Sequence, residues 1–278
     1  MSVVTFWSNG EEQTGKTLSM IAIATYMAIE HNYRVLVIST GYKDSTLDRC
    51  FWKEAKKKKN LGLFGPNTNI AMESGLEGIE KIMRSNKLSA ENITNYTKII
   101  FKNRLEILQT FKGNKDEYES LKKIYPELIN LANQHYDLVF VDMDRELEGE
   151  ISKKILNNSN LIVANITQRL ESINKFIELK NKEAIFNSKK TTILIGRHDR
   201  FSKYTAKNIS RYMGEKNNVL TIPYNTLFFE ACEEAGVPDL FLKLRKIDLE
   251  DRNGDFMAEV KRAADNIIYR LQDLSVKI

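Results

Sequence analysis

Gly10-Glu11-Glu12-Gln13-Thr14-Gly15-Lys16-Thr17 fits the phosphate-binding pattern G-x-x-x-x-G-K-[S/T] at every fixed position. The flanking residues supply the context the pattern needs. Before it, Val3-Val4-Thr5-Phe6-Trp7 is the β-branched and aromatic run of a buried strand. After it, Leu18-Ser19-Met20-Ile21-Ala22-Ile23-Ala24 continues at helical spacing without a breaker. A loop between a strand end and a helix start can turn its backbone N–H groups inward around a phosphate, and the glycines make the tight path possible. In such a loop Lys16 places a point charge on the β- and γ-phosphates and Thr17 a hydroxyl on Mg²⁺. The helix N-terminus adds about half a positive charge. The candidate phosphate-binding residues are therefore Gly10, Glu11, Glu12, Gln13, Thr14, Gly15, Lys16, Thr17 and Leu18.

Downstream, Arg34-Val35-Leu36-Val37-Ile38-Ser39 predicts a second parallel strand, followed by the loop Thr40-Gly41-Tyr42-Lys43-Asp44. A helix is predicted from Asp44 to about Lys59, its Lys56 to Lys59 end a solvated C-terminus favoured by the dipole and broken by the Gly- and Pro-containing residues 61–67. Residues 70–133 are less regular. They carry apolar positions at Leu76, Ile79 and Ile82 or Met83, a strand-like Leu105-Glu106-Ile107-Leu108, and a helix over residues 117–133 in which Pro126 can start a new helix. No repeat, low-complexity tract or linker interrupts the chain, so one domain over residues 1–278 is expected, with a less regular helical segment at about 45–133.

Asp137-Leu138-Val139-Phe140-Val141-Asp142 is an apolar run ending in a carboxylate where parallel strands open onto a ligand crevice. Asp142 is accordingly the second site candidate, with a helix N-cap role for Asp142 or Asp144 as the alternative. Leu161-Ile162-Val163-Ala164, Thr192-Ile193-Leu194-Ile195 and Val219-Leu220-Thr221-Ile222 follow at βα spacing. The last helix, residues 255–274, is expected to pack on the sheet, because acids share its polar face with the basic residues. The whole reads as α/β: a doubly wound, mostly parallel sheet with right-handed crossovers and helices on both faces.

Composition narrows the function classes. With 278 residues, 42% hydrophobic and 28% charged, the chain has material for a sizeable core and does not read as disordered. A net charge of +5 permits weak association with nucleic acid or anionic lipid without requiring either. Cys50 and Cys232, far apart in sequence, form no disulfide framework, and His31, His135 and His198 form no cluster, so a reducing cytoplasm is the expected setting. The start lacks the features of a signal peptide. Residues 18–29 are too short to cross a bilayer and read as a buried helix rather than a transmembrane segment.

The order of these features resembles the ParA/MinD group of deviant P-loop ATPases, in particular its pilus-assembly members of the TadZ/CpaE kind. Thr14-Gly15-Lys16-Thr17 closes the loop after a Phe-Trp-Ser strand, and Tyr136-Asp137 to Asp142 looks like the group's switch strand. Ile222-Pro223-Tyr224-Asn225 through Ala235-Gly236-Val237-Pro238 is similar to its "IP-x-N … A-x-x-x-G-x-P" segment. The resemblance implies ATP and Mg²⁺, a homodimer formed face to face on ATP binding, and a protein partner in a localisation, partition or pilus/secretion system. It also implies non-specific DNA binding as a variant, and a cytoplasmic protein held at membrane or nucleoid through its partner. It assigns Asp142 to the Mg²⁺ and its waters alongside Thr17, and residues around Pro223 to the base.

Two departures qualify that picture. Five residues before Lys16, where the group carries a lysine that reaches the partner's phosphates, stands Glu11, and a carboxylate there repels phosphate. The place of the group's water-orienting aspartate reads Ser39-Thr40-Gly41, with Asp44 the nearest acid. Phosphoryl transfer depends mostly on positioning and charge, so hydrolysis should be slow while binding survives. Lys16, Asp142 and Asp44 are the candidate catalytic residues. The expected protein is a nucleotide-switched localisation or assembly factor, at most a weak ATPase. The alternatives are a non-catalytic scaffold and, at lower weight, a small-molecule kinase or ligase with Arg145, Arg169 or Arg197 as clamps.

Overall fold

The apolar runs line up edge to edge because they alternate between two cores. Val4, Phe6, Val35, Val37, Phe140, Val163 and Leu194 face one side of the sheet. Val3, Leu36, Ile38, Val139, Val141, Ile162 and Ile195 face the other. A strand buried on both faces reads as a continuous hydrophobic run and must be covered twice. The computed structural model describes residues 1–9, 13–53, 75–85, 87–144, 149–215, 219–248, 250–251 and 253–275.

In chain order the elements are β1 (Ser2–Ser8), α1 (Lys16–Glu30), β2 (Val35–Ser39), α2 (Thr46–Arg49), α3 (Leu76–Arg84), β3 (Thr97–Phe101), β4 (Leu105–Leu108), α4 (Lys115–Leu121) and α5 (Tyr125–Ala132). There follow β5 (Leu138–Asp142), α6 (Gly149–Asn158), β6 (Leu161–Ile166), α7 (Leu170–Lys182), β7 (Thr191–His198), α8 (Ala206–Tyr212), β8 (Leu220–Pro223), α9 (Thr226–Glu234), α10 (Val237–Leu244) and α11 (Gly254–Ser275). The sheet has eight strands in the order β3-β4-β2-β5-β1-β6-β7-β8. Every pair is parallel except β3–β4. This is the doubly wound α/β architecture expected of the sequence. From β1 the chain moves to one side to reach β2, and from β5 it crosses to the other side to reach β6. The order therefore reverses around β1, which is where such sheets open a crevice beyond the strands' carboxyl ends.

One face is covered by α1, α9, α10 and α11, with Met20, Ile23, Phe241, Phe256, Val260 and Ile267 in its core. The other is covered by α3 to α8, with Leu128, Ile155, Ile173, Phe176 and Ile209. α1 is buried from Ser19 to Ala28 because α10 and α11 cover its outer side, so residues 18–29 do form the buried helix that their composition predicts. Residues of α11 pack inward rather than forming a free amphipathic tail.

Three stretches take a more detailed form than the sequence indicates. Of the helix predicted over residues 44–59, the described residues 44–53 form α2, which ends where Phe51 and Trp52 both donate to the Asp48 carbonyl in a tight turn that packs their rings onto the core. Lys56 to Lys59 and the breaker at 61–67 lie outside the described residues. The helical stretch predicted over residues 117–133 is α4 and α5, and Pro126 starts the new helix as its sequence position allows, since in the first turn of α5 it needs no N–H. β3 was not anticipated; it turns into β4 through residues 102–104, where Asn103 has φ 58°.

Cys50 and Cys232, distant in sequence, come together between α2 and α9. The Cys232 thiol beside it, together with burial, pushes the Cys50 thiol well above the ordinary range. Alongside them Arg49 pairs with Glu233 at 3.1 Å.

Candidate functional site

β1 ends at Ser8 and α1 starts at Lys16, and residues 9 and 13–15 of the segment between them are described. Gln13 and Gly15 both hold positive φ, 59° and 72°. Glycine accepts that conformation freely, whereas glutamine is strained by it, as residues at ligand clamps often are. Gly15 caps α1 without a side-chain acceptor, and no acid occupies the first turn. Lys16 N donates to Thr14 Oγ1 at 3.4 Å, while no side-chain cap engages the amides that follow it, and the positive dipole end faces the crevice. Gly10, Glu11 and Glu12 lie outside the described residues.

The crevice is a cavity of ≈ 530 Å³. Gln13, Thr14, Gly15, Lys16, Thr17 and Leu18 line it together with Asp44, Asp142 and Pro223, so every described site candidate meets in one place. Its volume lies within the range of about 300–1,000 Å³ of small-molecule and cofactor sites.

β1 and β5 are parallel neighbours, with Phe6 opposite Asp142, and this register delivers the Asp142 carboxylate to the start of α1. Lys16 Nζ lies 2.9 Å from Asp142 Oδ1, and the Lys16 ammonium also donates to the Met143 carbonyl. The Thr17 hydroxyl donates to Asp142 Oδ2 at 2.8 Å. The Lys16 contact is an ion pair rather than an aligned hydrogen bond, so Asp142 Oδ1 remains a buried oxygen without a hydrogen-bond partner. Among the described residues the Asp142 carboxylate is engaged by Lys16 and Thr17. A buried carboxylate held by an ion pair, one of its oxygens without a hydrogen-bond partner, beside a threonine hydroxyl is a hard-oxygen donor set that suits Mg²⁺, which binds through one or two carboxylates and keeps its remaining positions for water and phosphate.

The loop after β2 forms the next wall. Thr40 N donates to the Asp142 carbonyl at 3.0 Å, Asp144 N donates to Thr40 Oγ1 at 2.8 Å, and Tyr42 N donates to Asp144 Oδ2 at 3.3 Å. Asp144 thus also lines the cavity, a position its sequence context as a helix cap did not suggest. Asp44 faces the same space, with Oδ1 accepting from Thr46 N at 2.9 Å. Behind them Asp48 is fully buried, 3.2 Å from Lys112 Nζ. Burial pushes its carboxyl up, opposed by Lys112.

The far end of the cavity is apolar and lies beyond β7 and β8. Ile222, Pro223, Tyr224, Phe228 and Phe229 line it. Asn225 holds this end in place: its Oδ1 accepts from Phe228 N at 2.9 Å as the cap of α9, and its Nδ2 donates to Asn253 at 2.8 Å. Of the three arginines considered as clamps, Arg197 lines the cavity, Arg169 caps α7 outside it, and Arg145 lies outside the described residues. On the other side of Pro223, burial pushes His198 down, opposed by Glu259 and Asp199.

No protein-family model matches the chain. Its fold is similar to that of several solved structures. A ParA family ATPase from Chlorobium tepidum has a TM-score of 0.68 and 16% identity, over 92% of this chain and 98% of that one. The septum site-determining protein MinD complexed with Mg-ADP, from Pyrococcus horikoshii, has a TM-score of 0.64 and 11% identity, over 96% and 97%. MinD in the MinC:MinD cell division complex of Aquifex aeolicus has a TM-score of 0.60 and 12% identity, over 96% of each chain. At these identities the likeness is one of architecture, and the chain therefore has the P-loop fold of the ParA/MinD ATPases.

Proposed function

We propose that this chain binds MgATP in the cavity beyond β1 and uses the bound nucleotide as a switch for localisation or assembly, hydrolysing it slowly. The observation that carries the reading is the convergence of Lys16, Thr17 and Asp142 at the mouth of the cavity the phosphate loop encloses. That the P. horikoshii neighbour is a complex with Mg-ADP supports the choice of ligand.

In this reading Lys16 exchanges Asp142 and the Met143 carbonyl for phosphate oxygens, and the loop amides from Gly10 to Leu18 hold the remaining ones. Thr17 and Asp142 hold Mg²⁺ and its waters; the ion, when bound, offsets the negative charge of the phosphates. The apolar end around Pro223 takes the base. Asp44, whose carboxylate faces the cavity, is the acid available to orient water. Its carboxylate is already turned to Thr46 N, and Gly41 offers none, so turnover is slow.

The bound state is then the signal. A homodimer forms on ATP binding and a protein partner reads it; that the A. aeolicus neighbour is a MinC:MinD complex supports a protein partner. The setting is cytoplasmic, with attachment to a membrane or nucleoid through that partner; among the described residues no helix is long and apolar enough to cross a membrane. The pilus-assembly variant rests on the order of sequence features that resembles the TadZ/CpaE kind, and DNA binding on the excess of basic residues.

A second reading, a scaffold that keeps the fold without nucleotide, is favoured by the Lys16 charge being already satisfied within the protein and by the acids Glu11 and Glu12 in the loop. Light scattering with Mg²⁺ and a non-hydrolysable ATP analogue, paired with a phosphate-release assay, separates the two. The switch predicts a doubled mass with nucleotide and turnover well below about 1 per second. A mass unaffected by nucleotide favours the scaffold.

A further inference from the structure

β7 carries a bulge at the cavity. Its register with β8 shifts between Gly196 and His198, and the residue at the shift, Arg197, has φ 53°. A bulge re-aims a side chain, and a non-glycine residue held in the left-handed region is strained. The surroundings enforce it. Gly196 is pressed against the phosphate loop so closely that a Cβ there would stand 2.3 Å from the Thr14 carbonyl oxygen. Arg197 Cγ and N lie 3.0 and 3.3 Å from where a Cβ on Gly15 would be.

The side chain therefore runs between the phosphate loop and the apolar end of the cavity. Its Nη1 donates to Gln13 Oε1 at 3.4 Å, and its guanidinium carbon is 5.9 Å from the centre of the Tyr224 ring. Among the described lining residues, Lys16 and Arg197 are the cations, facing Asp44, Asp142 and Asp144. Lys16 is paired with Asp142, whereas among the described residues Arg197 has an amide and a ring for partners and no carboxylate. A polyphosphate entering so acidic a cavity needs a cation not already engaged, and the guanidinium fork matches phosphate oxygens in pairs.

We propose that Arg197 is a clamp for the polyphosphate chain of a nucleoside di- or triphosphate, acting within its own subunit from the β7 side while Lys16 acts from the β5 side. The proposal rests on the nucleotide reading of the cavity. It gives the bulge a purpose: the strained backbone places a free positive charge beside a loop whose variable residues Glu11 and Glu12 are acidic.

The test titrates fluorescently labelled ATP and ADP in Mg²⁺, and adenosine in competition, against the wild type, Arg197→Gly, Arg197→Lys and Lys16→Ala, with a thermal melt of each. Arg197→Gly is expected to lose about tenfold in affinity for ATP and ADP, to leave adenosine competition unchanged, and to melt no lower than the wild type, since glycine accepts the positive φ without strain. Arg197→Lys should recover part of the loss. Unchanged ATP affinity in Arg197→Gly, an equal loss for adenosine, or a fall in melting temperature that accounts for the loss overturns the clamp. If Lys16→Ala still weakens ATP binding in that case, the nucleotide reading stands without it; a wild type that binds no ATP removes both.

Discussion

On the β1–β5 side of the cavity the charges are buried and already partnered: Asp142 is 3% exposed and holds both Lys16 and Thr17. On the β7–β8 side the surface is open, with Tyr224 52% and Phe229 44% exposed and Arg197 tied, among the described residues, to an amide and a ring. The first side is stabilised by its own pairing, so a change there affects folding and binding together. The second is strained and half-solvated at its side chains, so truncating an exposed side chain there affects binding alone, while its backbone is packed against the loop at Gly196. This separation gives the two sides different mutational signatures.

The largest effect is expected at Asp142. Asp142→Ala strands the Lys16 ammonium, only 12% exposed, without its carboxylate. Breaking such a pair costs about 3 kcal/mol, so urea melts should show a loss of that size and nucleotide affinity should lose its Mg²⁺ dependence. Unchanged melts would mean that the two sides are not built differently. Next comes Gly196→Ala, where the added carbon meets the Thr14 backbone oxygen and either the loop or β7 must move. A cost of about 2 kcal/mol is expected in the same melts, with weaker nucleotide binding because the loop shifts.

How far these positions were legible in the sequence follows the same division. Lys16, Thr17 and Asp142 could be read because a loop motif and an acid at a strand end state their chemistry in one dimension. Arg197 could be noticed but not ranked, since an arginine near a strand end is ordinarily solvated; its significance lies in a bulge and a positive φ that no local residue pattern announces. Asp144 was read as a possible cap because its link to Thr40 and Tyr42 spans about a hundred residues of chain. The architecture itself was legible from strands whose residues are apolar on both faces. β3 was not, because Thr97-Lys98-Ile99-Ile100-Phe101 is half-exposed edge strand with no continuous buried run. The closeness of Cys50 and Cys232 was likewise invisible, being a product of α2 meeting α9.

Smaller effects sharpen the comparison from the open side. Tyr224→Ala should change stability by no more than about 0.5 kcal/mol, as for other exposed positions, while weakening nucleotide binding measurably in the same titrations. A stability loss matching that of Gly196→Ala would erase the distinction. The smallest effect is a pH dependence at His198. Burial lowers its folded-state pKa below the unfolded value of about 6.5. The folded protein therefore prefers the neutral imidazole, and the stability this contributes is present above about pH 6.5 and lost as pH falls through the lower folded value. Melts between neutral and mildly acidic pH should show His198→Gln losing less stability than the wild type.

The most direct measurement of the central claim is a titration of labelled ATP in Mg²⁺ against the wild type and Lys16→Ala. The account predicts saturable binding by the wild type and a loss of at least about tenfold in the variant, as expected when a charged phosphate contact is removed. Equal affinity of the two proteins would contradict it.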